Sequence, residues 1–295
     1  MSQHDEGSSP YAVIGIITLV VAGLLSFGLL STPTQPAPDP AALASVTPGP
    51  TRQQEARPRR LYALADHPVL ATGVELGRTS CDLPTFDKAL GPLLAYYEAA
   101  VRCFDRQWQP VLAKLNLPFT SVKVDASETL GETPCGRSPA KDEAIALYCP
   151  VNETIYMPRD RLLPLYSAAQ RPWVYLLSVL AHEYGHHVQS VSGMLIAAWD
   201  EVAGAGGTGP LALELQRRQE LQATCLGGLS IWAVSDGGSL VKAYSDLTAS
   251  GRWDTSGSSD THGSGSSNAT WAGRGYRGRA TANCNTWPAP AAEVR

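Results

Sequence analysis

The sequence predicts a mainly α protein of the α+β kind, with one N-terminal transmembrane helix, then a helical ectodomain carrying a small β element. Three observations point to it. Residues 11–30, YAVIGIITLVVAGLLSFGLL, make a 20-residue run without a charge. Apolar residues recur at helical spacing in several segments further on. All six cysteines (Cys81, Cys103, Cys135, Cys149, Cys225 and Cys284) follow the apolar run. The 295 residues carry a formal net charge of -4. So mild a balance does not capture a polyanion, and no basic patch with interleaved aromatics occurs, so no nucleic-acid partner is expected.

The elements follow in order. Residues 1–10 contain Asp5 and Glu6 but no Lys or Arg, and are expected to form a short cytoplasmic N-terminus. A helix of about 20 residues spans about 30 Å, the thickness of a bilayer core, so residues 11–30 are expected to cross a membrane. A cleaved signal peptide is the rival. It would have a shorter apolar region, about 7 to 15 residues, and a positive start. The nearest Ala-x-Ala, Ala42-Leu43-Ala44, lies far past the run, so an uncleaved anchor is expected. Residues 31–60 contain seven prolines, Pro33, Pro36, Pro38, Pro40, Pro48, Pro50 and Pro58, and read as an extended linker. Residues 61–295 are long enough for one sizeable core.

An even number of cysteines confined to one side of the span suits disulfides in an oxidising compartment. The ectodomain is therefore expected outside the cytoplasm of a cell-membrane protein. A thiolate zinc site is the alternative, but no Cys-x-x-Cys pair exists. Six cysteines allow 15 pairings. Neighbours in sequence suggest Cys81–Cys103, Cys135–Cys149 and Cys225–Cys284.

Within the ectodomain, Pro84 to Leu115 has helical spacing, with Pro92 and Pro110 expected to kink or divide it. Ser121 to Val124 reads as extended. Ala144 to Met157 reads as two strand-like pieces around Cys149-Pro150-Val151-Asn152, a hairpin candidate. Pro172 to Val191 is a strong helix, opening on Pro and stopping near Gly193. Pro210 to Val234 is another, entered through GAGGTG. The Gly- and Ser-rich stretch after Ala249 reads as a long loop outside the core. Asn152-Glu153-Thr154 and Asn268-Ala269-Thr270 match glycosylation sequons.

His182-Glu183-Tyr184-Gly185-His186 fits His-Glu-x-x-His inside the predicted helix Pro172 to Val191. Positions i and i+4 stand one turn apart on one face, so both imidazoles can reach one ion. Zinc suits neutral imidazole, and catalytic zinc keeps a position open for water. Glu183, next along the helix, can take that water's proton and pass it to a leaving amine. His187 points about 100° away from His186 and reads as a polar residue on the helix flank. His4 and His67 have no partners in sequence and are assigned no role. A catalytic zinc needs a third protein ligand. Asp200, Glu201, Glu214, Glu220 and His262 are the candidates. Glu220 lies on the helix Pro210 to Val234, so two rigid helices could face each other across the metal; an exposed Glu220 paired with Arg217 or Arg218 is the alternative.

With these residues in place, the chain resembles the bacterial neutral zinc metallopeptidases, relatives of the gluzincin peptidases. The matching blocks are TPCGRSPA, ALYCPVNETIYMP, VLAHEYGHHVQSVSG, RRQELQATCLGGLSIWA, DTHGSGSSNATWAGRGY and NCNTW, covering about Cys81 to Trp287. The resemblance implies a zincin-like helical ectodomain. It implies Zn2+ held by His182, His186 and Glu220, with Glu183 as catalytic base acting on a peptide or protein substrate. His262 falls in the His-Gly block and could stabilise the oxyanion of the tetrahedral intermediate, with Tyr276 and Arg274 as substitutes. The chain departs from the family pattern in three places. Thr224 stands where the family has an Asp that supports a ligand His. Ser267 and Asn268 stand where Gln and Arg precede the Trp. Ala272 stands where an aromatic follows it. The expected function is therefore a membrane-anchored zinc metallopeptidase. The alternative is a catalytically silent, zinc-stabilised domain that binds an envelope protein or the cell wall.

Overall fold

The computed structural model of the chain describes residues 64–137, 139–140, 144–168, 172–234 and 259–295. The span expected at 11–30 and the linker at 31–60 lie outside them. Among the described residues no helix is long and apolar enough to cross a membrane. What they form is mainly helical with one small sheet, as the patterning predicts.

Helix α1 spans Leu90–Lys114 and buries Leu93, Tyr97, Val101, Phe104, Trp108 and Leu112, one face at steps of three and four. It begins at Leu90 rather than Pro84, because Asp87 Oδ1 accepts the Ala89 N–H at 2.8 Å in a turn just before it. Neither proline divides it. Pro92 falls in the first turn, where the helix needs no N–H, and the helix continues through Pro110.

Strands β1 (Lys123–Asp125), β2 (Leu147–Cys149) and β3 (Thr154–Tyr156) form one sheet in the order β1-β3-β2. The predicted hairpin is β2 antiparallel to β3, with Tyr148 opposite Ile155. Its turn closes through Glu153 at φ 52°. β1 adds to the other side in parallel, Val124 opposite Ile155.

Helices α2 (Arg159–Ala168), α3 (Pro172–Val191), α4 (Met194–Gly204) and α5 (Pro210–Val234) follow. α3 stops where Gly193 turns left-handed at φ 85°, which costs a residue without Cβ little. α5 is buried on all sides from Leu221 to Ile231, so it is the central helix of the domain.

The stretch expected to be a long loop is in part core. Residues 235–258 lie outside the described set, but α6 (Ser259–His262) and α7 (Gly265–Tyr276) follow. Ser264 caps α7 by accepting the Ser267 N–H at 3.2 Å, and Trp271 and Ala272 are buried. Here the glycine serves packing. A Cβ on Gly275 would lie 2.1 Å from the Cys225 carbonyl oxygen, so α7 approaches α5 backbone to backbone. On its other side α5 crosses α3 in the same way. A Cβ on Gly185 would meet Ala223 O at 2.4 Å, and one on Gly227 would meet Ala181 O at 2.7 Å. These contacts set the separation of α3 and α5, the two helices that carry the metal-binding candidates.

The disulfides are Cys81–Cys103, Cys135–Cys149 and Cys225–Cys284, the pairing that sequence neighbours suggest. The first ties the segment before α1 to that helix, the second holds the end of β2, and the third joins α5 to the turn after α7. The Asn268 sequon is no glycan acceptor in this fold, since Asn268 is buried with its amide hydrogen-bonded.

Candidate metal centre

The close crossing of α3 and α5 brings three donor atoms together. One ligand atom each from His182, His186 and Glu220 lies within 4.8 Å of the others. Glu220 Oε2 stands 3.1 Å from His186 Nε2 and 3.4 Å from His182 Nε2. The far nitrogen of each ring is tied back to protein. His182 Nδ1–H donates to Thr224 Oγ1 at 3.1 Å. His186 Nδ1–H donates to Gln189 Oε1 at 2.9 Å. Gln189 is held in turn, its Nε2 donating to Gln219 O and Gln222 Oε1, both at 2.9 Å. With each Nδ1 donating to protein, Nε2 is the atom that each ring turns to Glu220 and offers to a metal once it carries no proton, the arrangement in which imidazole ligates a metal. Two neutral imidazoles and a carboxylate are the chemistry zinc takes at catalytic sites, so the residues present fit that ion.

The charges agree with a cation site. Burial would raise Glu220, but His186 and His262 and the closeness of both ligand imidazoles hold it well below the usual carboxylate range. Burial would lower His186, but Glu220, Glu183 and the Gln189 hydrogen bond reverse this and raise it to about 9. Burial pushes His182 down to about 4 against the pull of Glu220. The cluster therefore stabilises one positive charge between the imidazoles and the carboxylate.

The other positions of this helix make contacts of their own. Glu183 turns toward β2, where Tyr148 supplies a backbone hydrogen bond. Burial raises its carboxyl to about 7, with His186 opposing and Glu220 adding to the rise. Tyr184 donates to Asp105 of α1 at 2.8 Å. His187 is no polar flank residue. It is buried, its Nε2–H donates to Thr120 O at 2.8 Å, and its Nδ1 accepts from Tyr148 Oη at 3.2 Å. It fastens α3 to the sheet. His67, assigned no role, is a satisfied core histidine whose Nε2 donates to Ser192 O at 3.1 Å.

Of the third-ligand candidates, Glu220 joins the two histidines. Asp200 and Glu201 are exposed on α4. Glu214 pairs with Arg218 at 2.7 Å, so Arg218 is not the partner of Glu220. Arg217 reaches the Val294 carbonyl at 2.8 Å. His262 lies beside the cluster, its Nε2 3.5 Å from Glu220 Oε2, and its side chain is 39% exposed, more open than the other three. Arg274 pairs with Glu293 at 2.5 Å and Tyr276 is buried.

The supports of the cluster are what sequence reasoning missed. Gln189, Gln222 and Tyr148 lie in blocks that carry the family resemblance, which was the available signal, but no spacing rule gives them a role. Two of the three departures from the family pattern meet in space: Thr224 Oγ1–H donates to Asn268 Oδ1 at 3.1 Å.

Uncharacterized proteins of Mycobacterium bovis and Mycobacterium tuberculosis are 34% identical to the chain over 132 residues, 44% of this chain and 40% of theirs. The chain thus spans well under half the length of these relatives. No solved structure matches it. Residues 94–287, about two thirds of the chain and a range that includes His182, Glu183, His186, Glu220 and His262, match a family model, and the chain therefore belongs to the family described as "Putative neutral zinc metallopeptidase".

Proposed function

We propose that the chain is a membrane-anchored zinc metallopeptidase that hydrolyses peptide bonds in peptide or protein substrates outside the cytoplasm. The convergence within 4.8 Å of Glu220 from α5 with His182 and His186 from α3, the helix that also carries Glu183, supports this reading most directly. The apolar run at 11–30 supports the anchor. Three disulfides support an oxidising compartment.

His182 and His186 of α3 and Glu220 of α5 would hold the ion. Bound zinc supplies a Lewis acid that polarises a carbonyl and acidifies water. The Glu183 carboxylate, held near neutral pH by burial, accepts the proton of the attacking water and delivers it to the departing amine nitrogen. His262 Nε2–H, beside Glu220 and open to solvent, donates to the carbonyl oxygen as negative charge grows on it. The Tyr148 backbone hydrogen bond fixes where the Glu183 carboxyl lies.

The alternative, a silent zinc-stabilised domain that binds an envelope protein or the cell wall, draws its support from Thr224, an uncharged residue where the family has Asp. Hydrolysis of an unfolded protein by the purified full chain separates the two. The peptidase reading expects cleavage that a chelator abolishes and added zinc restores. Stoichiometric zinc without cleavage of any substrate would favour the silent domain.

A further inference from the structure

The side of His182 that faces away from Glu220 is held by an uncharged chain of hydrogen bonds with a fixed direction. At its far end the Asn268 side-chain nitrogen sits among three backbone carbonyls, those of His262 at 2.9 Å, Ser264 at 3.2 Å and Gly263 at 3.4 Å. Carbonyl oxygens only accept, so the atom facing them must be Nδ2 and the amide cannot be flipped. Oδ1 must then face Thr224, and an amide oxygen also only accepts. The Thr224 hydroxyl therefore donates to Asn268 and turns a lone pair toward His182. That lone pair requires the His182 proton to sit on Nδ1, which leaves Nε2 bare toward Glu220. Both relay residues are buried, Thr224 at 1% and Asn268 at 4% exposure, so water does not readily stand in for either.

We propose that Asn268 is a positioning residue: acting through Thr224, it sets the tautomer and orientation of His182 and couples that residue to the turn that carries His262. The relay transmits direction without charge. Three carbonyls of the His262–Ser264 turn specify, two hydrogen bonds away, which nitrogen of His182 is free. The role assigned to His182 rests on the metal centre proposed above, but the relay itself can be read without metal.

The full chain with Thr224→Val, Thr224→Ser, Asn268→Ala and the Val/Ala double replacement tests this. In the metal-free protein, long-range proton–nitrogen NMR of the histidine rings should show His182 protonated at Nδ1 in wild type and Thr224→Ser. It should show a mixture of tautomers in Thr224→Val and Asn268→Ala. Chelator-competition titration with zinc should show affinity about 10 to 100-fold weaker for Thr224→Val and Asn268→Ala. Thr224→Ser should stay close to wild type, and the double replacement should be no weaker than Thr224→Val, since Asn268 acts through the hydroxyl. If Asn268→Ala lowers the melting temperature but leaves tautomer and zinc affinity unchanged, Asn268 is merely structural and the proposal is overturned. Losses that multiply in the double replacement overturn it as well. If wild type binds no zinc, the metal centre fails, and the tautomer measurement alone decides the relay.

Discussion

Glu183 and Glu220 are both buried glutamates of one cluster, and their surroundings drive them in opposite directions. Burial dominates at Glu183 and makes a base near neutral pH. At Glu220 the histidines overcome burial and keep a permanent carboxylate. Under the proposed function, groups pushed apart in this way would divide the labour of base and ligand. The metal-free charge pattern carries its own prediction. His186 is raised to about 9, so at neutral pH its proton must leave before the ring can ligate. The sign follows: below about 9 protons compete with metal, and zinc affinity should rise about tenfold per pH unit across the neutral range. Chelator titrations over that range measure it, and a flat profile would show that no ligand loses a proton on binding. At this scale the sequence was readable where geometry is local. His182 and His186 follow from helical spacing and Glu183 from the motif between them, whereas Thr224 was marked only by the family pattern. Gln189 and Asn268 were not readable, because an amide gains a role only from whatever distant backbone or side chain meets it. His187 was misread for the same reason: its angle on the helix is local, but Thr120 and Tyr148 arrive from elsewhere to bury it.

The elements place those residues by close approach. Ala181 and Gly185 on α3 stand against Ala223 and Gly227 on α5, and the backbones meet with no room for a Cβ. Gly185→Ala should therefore force the two helices apart. The expected cost is about 1–3 kcal/mol, the usual range for overpacking, or more since the clash is with backbone. Weaker zinc binding should accompany it, because Glu220 recedes from both imidazoles. Gly204→Ala is the control, with open space around its Cβ and no positive φ, and should be neutral or slightly stabilising. Thermal unfolding with a parallel metal assay checks both, and a Gly185→Ala protein as stable as wild type would contradict the packing described. α3 and α5 were legible to the residue because Pro openings, Gly stops and apolar runs are local signals. α7 was not, because Gly and Ser signal a turn when read locally, whereas at Gly275 the missing Cβ admits α5.

Across the whole molecule, the disulfides hold the cluster's surroundings in register. Cys225–Cys284 joins positions 59 residues apart, between Glu220 on α5 and the chain that returns past α7. Closing a loop of that length is worth up to about 4 kcal/mol on the chain-entropy account. Replacing both cysteines with Ala should lower stability by a comparable amount, read from denaturant unfolding, and titration of the unreduced, unfolded wild type should find essentially no free thiol. Two or more reactive thiols would contradict an oxidising compartment. The pairing was legible because each cysteine bonds its neighbour in sequence, and the anchor rests on composition alone. The proposed catalysis turns on one carboxylate. Glu183→Gln preserves size and burial and leaves His182, His186 and Glu220 in place. Measured on full chains matched for zinc content, peptide hydrolysis should fall by about 10²–10⁴-fold, the loss typical of removing a general base, with zinc stoichiometry unchanged. Hydrolysis at the wild-type rate in Glu183→Gln would contradict the peptidase mechanism.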